Sequence, residues 1–586
     1  MPRPEQPSQR TSVGVATSCL IVTALLGLAQ AWLMRDKISP DAMSYLDLGD
    51  ACWQGDWPRL ANGHWSPLFP CIVGAATQTL RLSPLAEFRV AHGVAFFVYL
   101  LALGAFTFLL NEVSFLRRND RGRKNRDEDL LPDWAWTVLA YAFFALTSLT
   151  MMSIEVGPDM LMSACVYAGL ALLLRGFGRS NSLACGVFGL VLGVGYLAKA
   201  PFFPVAGLFL AMAVLIGRKG SALVGRLALA VAVFAIVGLP WVVNLQRKTG
   251  RLTFGDSARL NYAWHVNGVR PFVHWQGDSD RFGQPLHPTR LILRKPATFE
   301  FGHPIRATYA PWYDPSYWYE GVRPHFVWSD QLHAFGRSAR AWFDILCERQ
   351  WVLALMVAIL IHRRGRWRAT WRGWIERYDL LVPAVAACVM YSAVLVEPRY
   401  VAPFIAIFWL AIISGVRLGV GRPVKRATNG LVAGFLLVTA LATIQQLAIS
   451  RHSGRSASWH RDAASALHEL GLNRGDGVAV IGDSLRAYWA RLAGLRIIAE
   501  IPSKGPSGEI AAGDTESFWH GDETVQTRAL RVLVGTGARV VVADQRPTGP
   551  LGDLWRPLGI APYHAYYVLA TSVADKLAPA PTTTSK

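Results

Sequence analysis

Long apolar runs alternate with short polar ones along most of this chain. The runs cover residues 11–34, 90–113, 134–152, 160–174, 183–197, 202–216 and 227–243, then one ending near Ile361, 380–396, one ending at Val416, and 431–449. A bilayer core takes roughly 20 helical residues, so the pattern predicts a polytopic α-helical membrane protein of about eleven transmembrane helices. Residues 67–80 are apolar but short, which suits an interfacial or re-entrant piece better than a crossing. No small-residue cleavage site follows the first run, so it reads as a retained helix.

Beyond residue 449 the pattern turns globular. Val478-Ala479-Val480-Ile481 and Val540-Val541-Val542-Ala543 read as buried strands, and residues 462–470 and 527–533 as helices. The expected organisation is a membrane domain over 1–450 with outer loops at 35–87 and 244–348, a small α/β domain outside the cytoplasm over 451–575, and a disordered tail over 576–586.

Charge adds orientation. Only 17% of residues are charged, below the roughly 25% usual for soluble domains. The net charge is +19, but the basic residues gather in short loops: Arg117 to Arg126, Arg175 with Arg179, Arg218 to Arg226, Arg363 to Arg372, and Arg417 to Arg426. With about eleven alternating spans all of these fall on one side, the cytoplasmic one by the positive-inside rule. The excess therefore reports topology, and with no basic soluble module or base-stacking motif it does not point to nucleic acid.

Of the seven cysteines, Cys19, Cys165, Cys185 and Cys388 lie in apolar runs. Cys52 and Cys71 share the first outer loop, where an oxidising compartment permits a disulfide that their spacing does not require. No thiolate metal motif is present.

The candidate chemistry sits at the outer ends of the runs. Ser39-Pro40-Asp41 follows the first run and has the composition of a helix start: a capping serine, proline at the first position, a carboxylate in the first turn. Tyr45 lies one turn on and on the same face. Asp47 and Asp50 share this segment and its net charge but are not counted in the site. The other groups are Glu155 and Asp159, Lys199, and Glu397 with Arg399 and Tyr400. Each alone reads as an interfacial anchor; four groups of both signs on one face read as a site.

The order of Ser39-Pro40-Asp41, Tyr45-Leu46, Trp65-Ser66-Pro67-Leu68, Gly157-Pro158-Asp159, Lys199 at a span end, and Glu397-Pro398-Arg399-Tyr400 resembles the GT-C membrane glycosyltransferases. Within them it is most similar to the branch of the protein O-mannosyltransferases and the lipid A aminoarabinose transferase, over residues 11–449. The resemblance implies an inner (plasma) membrane enzyme that takes a sugar from a polyprenyl-phosphate donor. Transfer would run on the outer face, with inversion, to a lipid, glycan or protein acceptor. It implies Asp41 as the catalytic carboxylate; Tyr45, Glu155, Asp159, Lys199, Glu397, Arg399 and Tyr400 are read beside it as substrate-binding residues. Many relatives carry paired acidic residues at the first position, where this chain has Asp41-Ala42. No cofactor is therefore assigned, a divalent cation being the candidate, and a metal site built from such a pair is not supported.

The residues support the same chemistry directly. An acceptor hydroxyl attacking an anomeric carbon needs a positioned carboxylate base. A lipid phosphate leaving group needs cations rather than an acid, and Lys199 and Arg399 suit that role. The aromatic-rich long loop could stack sugar rings or cover the site.

Two other readings compete. A transporter or lipid flippase would place its charges at midplane on broken helices in related halves, and no internal repeat is visible. An envelope oligosaccharide ligase or polymerase would lean on arginine and histidine in the long loop. In the C-terminal part, Val480-Ile481-Gly482-Asp483-Ser484-Leu485 is like the nucleophile block of GDSL hydrolases, but His520 and His564 lack the aspartate three residues earlier that such enzymes use.

Overall fold

A computed structural model of the full chain describes residues 7–124, 130–217, 220–269, 273–302, 305–317, 320–351, 354–358, 367–418, 421–503, 514–545, 547–559 and 566–570. Among these, seven helices are long and apolar enough to cross a bilayer: Val13–Met34, Pro84–Asn119, Asp133–Met152, Asp159–Gly178, Ser221–Thr249, Pro398–Gly415 and Arg422–Glu469. Shorter apolar helices, Ser182–Ala198, Phe202–Ile216 and Tyr378–Ser392, stand where three more spans were expected, and Leu68–Leu80 is the expected short piece. The run ending near Ile361 lies partly outside the described residues. So do Arg126, Arg218, Lys219, Arg363, Arg364, Arg366, His564 and the tail over 576–586.

Several long helices expose a stripe of large apolar side chains: Ile21, Val22, Leu25 and Leu28 on the first, Val224 and Ile236 on the fifth, Leu437, Leu441 and Ile444 on the last. Water would penalise these stripes, whereas hydrocarbon does not, and the helices satisfy their own backbone groups within it. The chain is a multi-pass membrane protein.

The helix Glu87–Lys124 measures the distance between the two ends of the bundle. Glu87 and Arg117 are roughly 45 Å apart along it. Around Arg117 the basic groups collect: its guanidinium donates to the Leu131 carbonyl at 2.8 Å, Arg179 pairs with Glu112 at 2.6 Å, and Arg417 pairs with Glu376 at 3.4 Å. The candidate motifs lie at the Glu87 end.

Over that end sits a seven-stranded sheet in the order β1-β2-β4-β3-β5-β7-β6. β3 (Gly477–Gly482), β4 (Arg496–Pro502) and β5 (Val540–Ala543) are parallel neighbours, and their near-continuous apolar runs suit strands covered on both faces. β6 (Arg556–Leu558) and β7 (Tyr566–Ala570) extend the sheet on the β5 side. The hairpin β1 (Arg290–Arg294) and β2 (Ala297–Glu300) comes from the long loop and adds to β4, with Phe299 opposite Glu500. A buried hydrogen-bonded group fastens this join: Tyr309 donates to the Glu500 carboxylate at 2.7 Å, which lies 3.0 Å from His274 Nε2, while His274 Nδ1 meets the Thr289 hydroxyl at 2.9 Å. The long loop and the C-terminal segment thus share one sheet.

This sheet layer is tied to the first loop through Arg491, which is buried against three carboxylates. Its guanidinium donates to Asp47 at 2.8 Å, Asp50 at 2.7 Å, and Glu87 at 2.5 and 2.9 Å. Asp47 also accepts from the Thr308 backbone N–H and hydroxyl, both at 3.0 Å. Three distant parts of the chain meet at one aspartate. Asp47 and Asp50 thus have a structural part in holding this arginine, because a buried guanidinium needs such partners. Cys52 and Cys71 are joined in a disulfide, pinning the helix Pro40–Trp53 to Leu68–Leu80.

Candidate active site

Asp41 is placed by local sequence. Ser39 has extended backbone angles and its hydroxyl accepts from the Ala42 N–H at 3.2 Å, so the helix begins at Pro40 and Asp41 falls in its first turn. Asp159 likewise opens the helix Asp159–Leu173, and Glu397 occupies the N-cap of Pro398–Gly415. Lys199 closes the helix Ser182–Ala198 at its C-cap. All four charges have the sign that the neighbouring helix dipole favours. Arg399, in the first turn of its helix, is the exception. It is held against the dipole by carboxylates from elsewhere in the chain.

Those carboxylates are Asp41 and Asp159. Arg399 Nη1 and Nη2 lie 3.5 and 3.4 Å from Asp41 Oδ2, and Nη1 lies 3.8 Å from Asp159 Oδ2. Asp159 is also ion-paired with Lys199. The Lys199 ammonium sits 4.0 Å from the centre of the Tyr400 ring, and Arg399 donates to the Tyr400 hydroxyl at 3.3 Å. Asp41 and Arg399 remain partly exposed, their side chains 24% and 34% accessible.

Tyr45 is buried beside this cluster, edge-on to Trp65 and Phe69 at 5.2 and 5.6 Å. Burial first, and the negative charges of Asp41 and Asp159 next, hold its phenol well above the usual range, so it stays a hydrogen-bonding alcohol. Glu155 and Glu397 complete the rim. Burial raises both carboxyls, while Lys37 and Arg399 lower Glu155, and Arg399 and Lys199 lower Glu397. Asp41, Tyr45, Glu155, Asp159, Lys199, Glu397, Arg399 and Tyr400 therefore all gather at one place.

The turn that carries Glu155 is built by polar groups inside the bundle. The helix before it ends in a π-helical turn, Thr147–Met152, and Ser153 follows at φ +61°. A residue other than glycine pays of order 1–3 kcal/mol for such a conformation. Gln30 opposes that cost by donating to the Leu149 carbonyl at 2.9 Å and accepting from the Ile154 N–H at 3.0 Å, and Gln446 donates to Ser153 Oγ at 2.9 Å.

Three further residues, not among the sequence candidates, reach the cluster. His64, half-buried in the first loop, interacts with Asp41, Lys199 and Asp256; desolvation of its ring pushes its imidazole down to about 4, so it is neutral. Lys37 faces Glu155, its carbonyl fixed by His92 Nε2 at 2.6 Å. Tyr488, from the C-terminal segment, feels the charges of Asp41 and Glu155 across the interface. His64 immediately precedes the Trp65-Ser66-Pro67 motif, which could have drawn attention to it. Lys37 and Tyr488 had nothing comparable.

The long loop caps the first loop rather than lying free. Asn62 Nδ2 and Trp65 Nε1 both donate to the Tyr313 carbonyl, at 3.2 and 3.0 Å, and the Ala200 N–H donates to Ser66 at 2.8 Å. Among the described residues no three of His, Cys, Asp or Glu assemble as a metal-ligand set. The acidic groups of the cluster are interleaved with Lys199, Arg399 and Lys37 instead. In the GDSL-like block, Asp483 pairs with Arg486 at 2.7 Å, and the fully buried Ser484 hydroxyl has no hydrogen-bond partner among the described residues. Among the described residues nothing there pairs a nucleophile with a base.

No protein-family model and no curated protein matches the chain. Solved structures similar to it include ArnT from Cupriavidus metallidurans in the apo state, with 13% identity and a TM-score of 0.49 over 95% of this chain and 99% of that one. ArnT from the same organism bound to undecaprenyl phosphate is similar at 14% identity and a TM-score of 0.48, over 95% and 98%. The Archaeoglobus fulgidus oligosaccharyltransferase in the apo form is similar at 14% identity and a TM-score of 0.40, over 90% of this chain and 69% of that one.

Proposed function

We propose that this protein is an integral membrane glycosyltransferase that moves a sugar from a polyprenyl-phosphate donor to a hydroxyl acceptor on the outer face of the membrane, with inversion. The observation that carries the reading is the gathering of Asp41, Arg399, Asp159 and Lys199 at the ends of four helices. The resemblance of the motifs to the GT-C glycosyltransferases supports it independently. The disulfide of the first loop supports an oxidising compartment on this side, and the arginine collection at the opposite end supports the cytoplasm on the other.

In the proposed step the acceptor oxygen attacks the anomeric carbon and gives its proton to the Asp41 carboxylate. The bond from that carbon to the phosphate oxygen breaks, and its electron pair leaves on the phosphate. Arg399 and Lys199 receive that charge; Arg399 offers a two-pronged donor matched to phosphate oxygens. A phosphate there would compete with Asp41 and Asp159 for the guanidinium, so donor binding and release of the base are coupled. Tyr45, Tyr400 and the rim carboxyls Glu155 and Glu397 would hold sugar hydroxyls. A transporter is less well supported because the charged groups lie at one end of the bundle, not at its middle.

The test is reconstitution of the purified protein with a panel of polyprenyl-phosphate sugars. Time-dependent formation of free polyprenyl phosphate with an acceptor present, absent in Asp41→Asn, is the expected result. No consumption of any donor, with facilitated lipid movement instead, would replace the reading with transport.

A further inference from the structure

A second charged cavity, of about 360 Å³, opens between the first loop and the C-terminal segment. Its wall holds six arginines, Arg59, Arg81, Arg306, Arg474, Arg491 and Arg496, against three carboxylates, Asp47, Asp50 and Glu87. Arg491 already takes all three carboxylates. Among the described residues Arg81, Arg306 and Arg496 have no ion pair, and Arg474 reaches Asp50 only at 3.8 Å. A concave wall of unneutralised guanidiniums is unfavourable alone and concentrates positive potential in the space it encloses. Arg59 and Arg306 continue into an adjoining cavity of about 180 Å³ that also includes Lys248.

The position of the cavity decides what could fill it. Its lining includes Pro84, Glu87 and Val90, the first turns of the spanning helix Pro84–Asn119, so it opens at the edge of the bilayer. It is separate from the Asp41 cluster: Asp47 and Asp50 lie six and nine residues farther along the same helix, roughly 9 and 14 Å from Asp41. A phosphate-bearing group complements it. Several oxygens match the planar forks of arginine better than a single point charge would, and a lipid brings its phosphate to this depth.

We propose that this cavity is a second anion site, distinct from the donor site, that binds the phosphate of an amphiphile in the outer leaflet. The Arg491 clamp provides its floor, and Arg81, Arg306 and Arg496 supply the donors. Because Asp47 and Asp50 belong to the helix that carries Asp41, an occupant here would bear on the segment that positions the proposed base. The binding claim itself does not depend on the transfer reading.

The experiment uses the full-length protein in two arms. In one, native mass spectrometry counts phosphatidylglycerol and phosphatidylcholine retained from mixed-lipid nanodiscs. In the other, calorimetry measures inorganic pyrophosphate binding in detergent. The variant is R306A/R496A, both side chains exposed and free of ion pairs among the described residues, with its thermal unfolding checked against the parent. Preferential phosphatidylglycerol retention that weakens about tenfold or more in the variant is the expected result. Pyrophosphate binding that weakens likewise, without lipid retention, would keep the anion site but assign it to soluble phosphates. Equal retention in parent and variant, or no binding of either probe, overturns the proposal.

Discussion

Arg399 and Asp41, 358 residues apart in the chain, stand 3.4 Å from one another at the ends of different helices. The pairing puts the proposed base and the proposed phosphate ligand in one contact. It makes separate predictions for each partner.

For Asp41, loss of a general base removes roughly 10²- to 10⁴-fold in rate. Asp41→Asn keeps the helix start, because the cap belongs to Ser39, and it still accepts from Arg399. Turnover of the reconstituted protein is expected to fall by that factor with donor affinity largely kept. Turnover near the parent rate would move the base elsewhere, with Asp159 the next carboxylate to test.

For Arg399, alanine is expected to weaken use of the lipid-linked donor strongly, and lysine to restore it only in part because the fork is lost. Lys199→Ala should act in the same direction while leaving Asp159 only its contact with Arg399. Donor titrations that are unchanged in both alanine variants would remove these cations from the phosphate site.

Arg491→Ala leaves three largely buried carboxylates without their shared partner and is expected to destabilise the protein by about 3–5 kcal/mol. Asp47→Asn and Asp50→Asn should lower thermal stability by about 1–3 kcal/mol each, while the folded fraction turns over normally. That contrast separates the docking aspartates from Asp41. A loss of turnover at parent-like stability would instead give Asp47 or Asp50 a part in the reaction.

Asp544 predicts a pH effect. Burial first, and the charge of Asp483 as well, raise its carboxyl to about 6, above its unfolded value of 3.8. The folded state therefore favours the protonated form, and stability falls as pH rises from about 4 to about 6, then levels. Asp544→Asn keeps an acceptor for the Asp483 N–H, bonded at 2.6 Å, and removes the charge. Its unfolding temperature should gain on the parent across that interval and hold the gain above it. A constant difference from low to neutral pH would contradict the assignment.

Sidedness is open to a direct check. Reporter fusions at Arg123 and Arg474 should lie on opposite sides of the membrane, since the arginine-rich end and the sheet layer cap opposite ends of the bundle. The same side for both would break the eleven-span arrangement.

The sequence alone determined what depends on neighbours within a few turns. Apolar length marked the spans, because a bilayer sets a minimum run of helix. Ser39-Pro40-Asp41 marked a helix start, because a cap needs only the next three residues. Charges at span ends marked the residues that the fold gathers into one cluster, because so costly a position is rarely occupied idly. The parallel strands β3 and β5 were legible because strands covered on both faces are apolar throughout. Tertiary structure decided the rest. Arg399 finds Asp41 and Asp159, Arg491 finds Asp47, Asp50 and Glu87, and Tyr488 comes to face the cluster, through contacts between segments that share no local pattern. The hairpin Arg290–Glu300 was missed because short edge strands become recognisable only beside the β4 edge they complete. A charged side chain looks the same in sequence whether it ends in water or against a buried partner; only packing removes the water and sets which of the two it is.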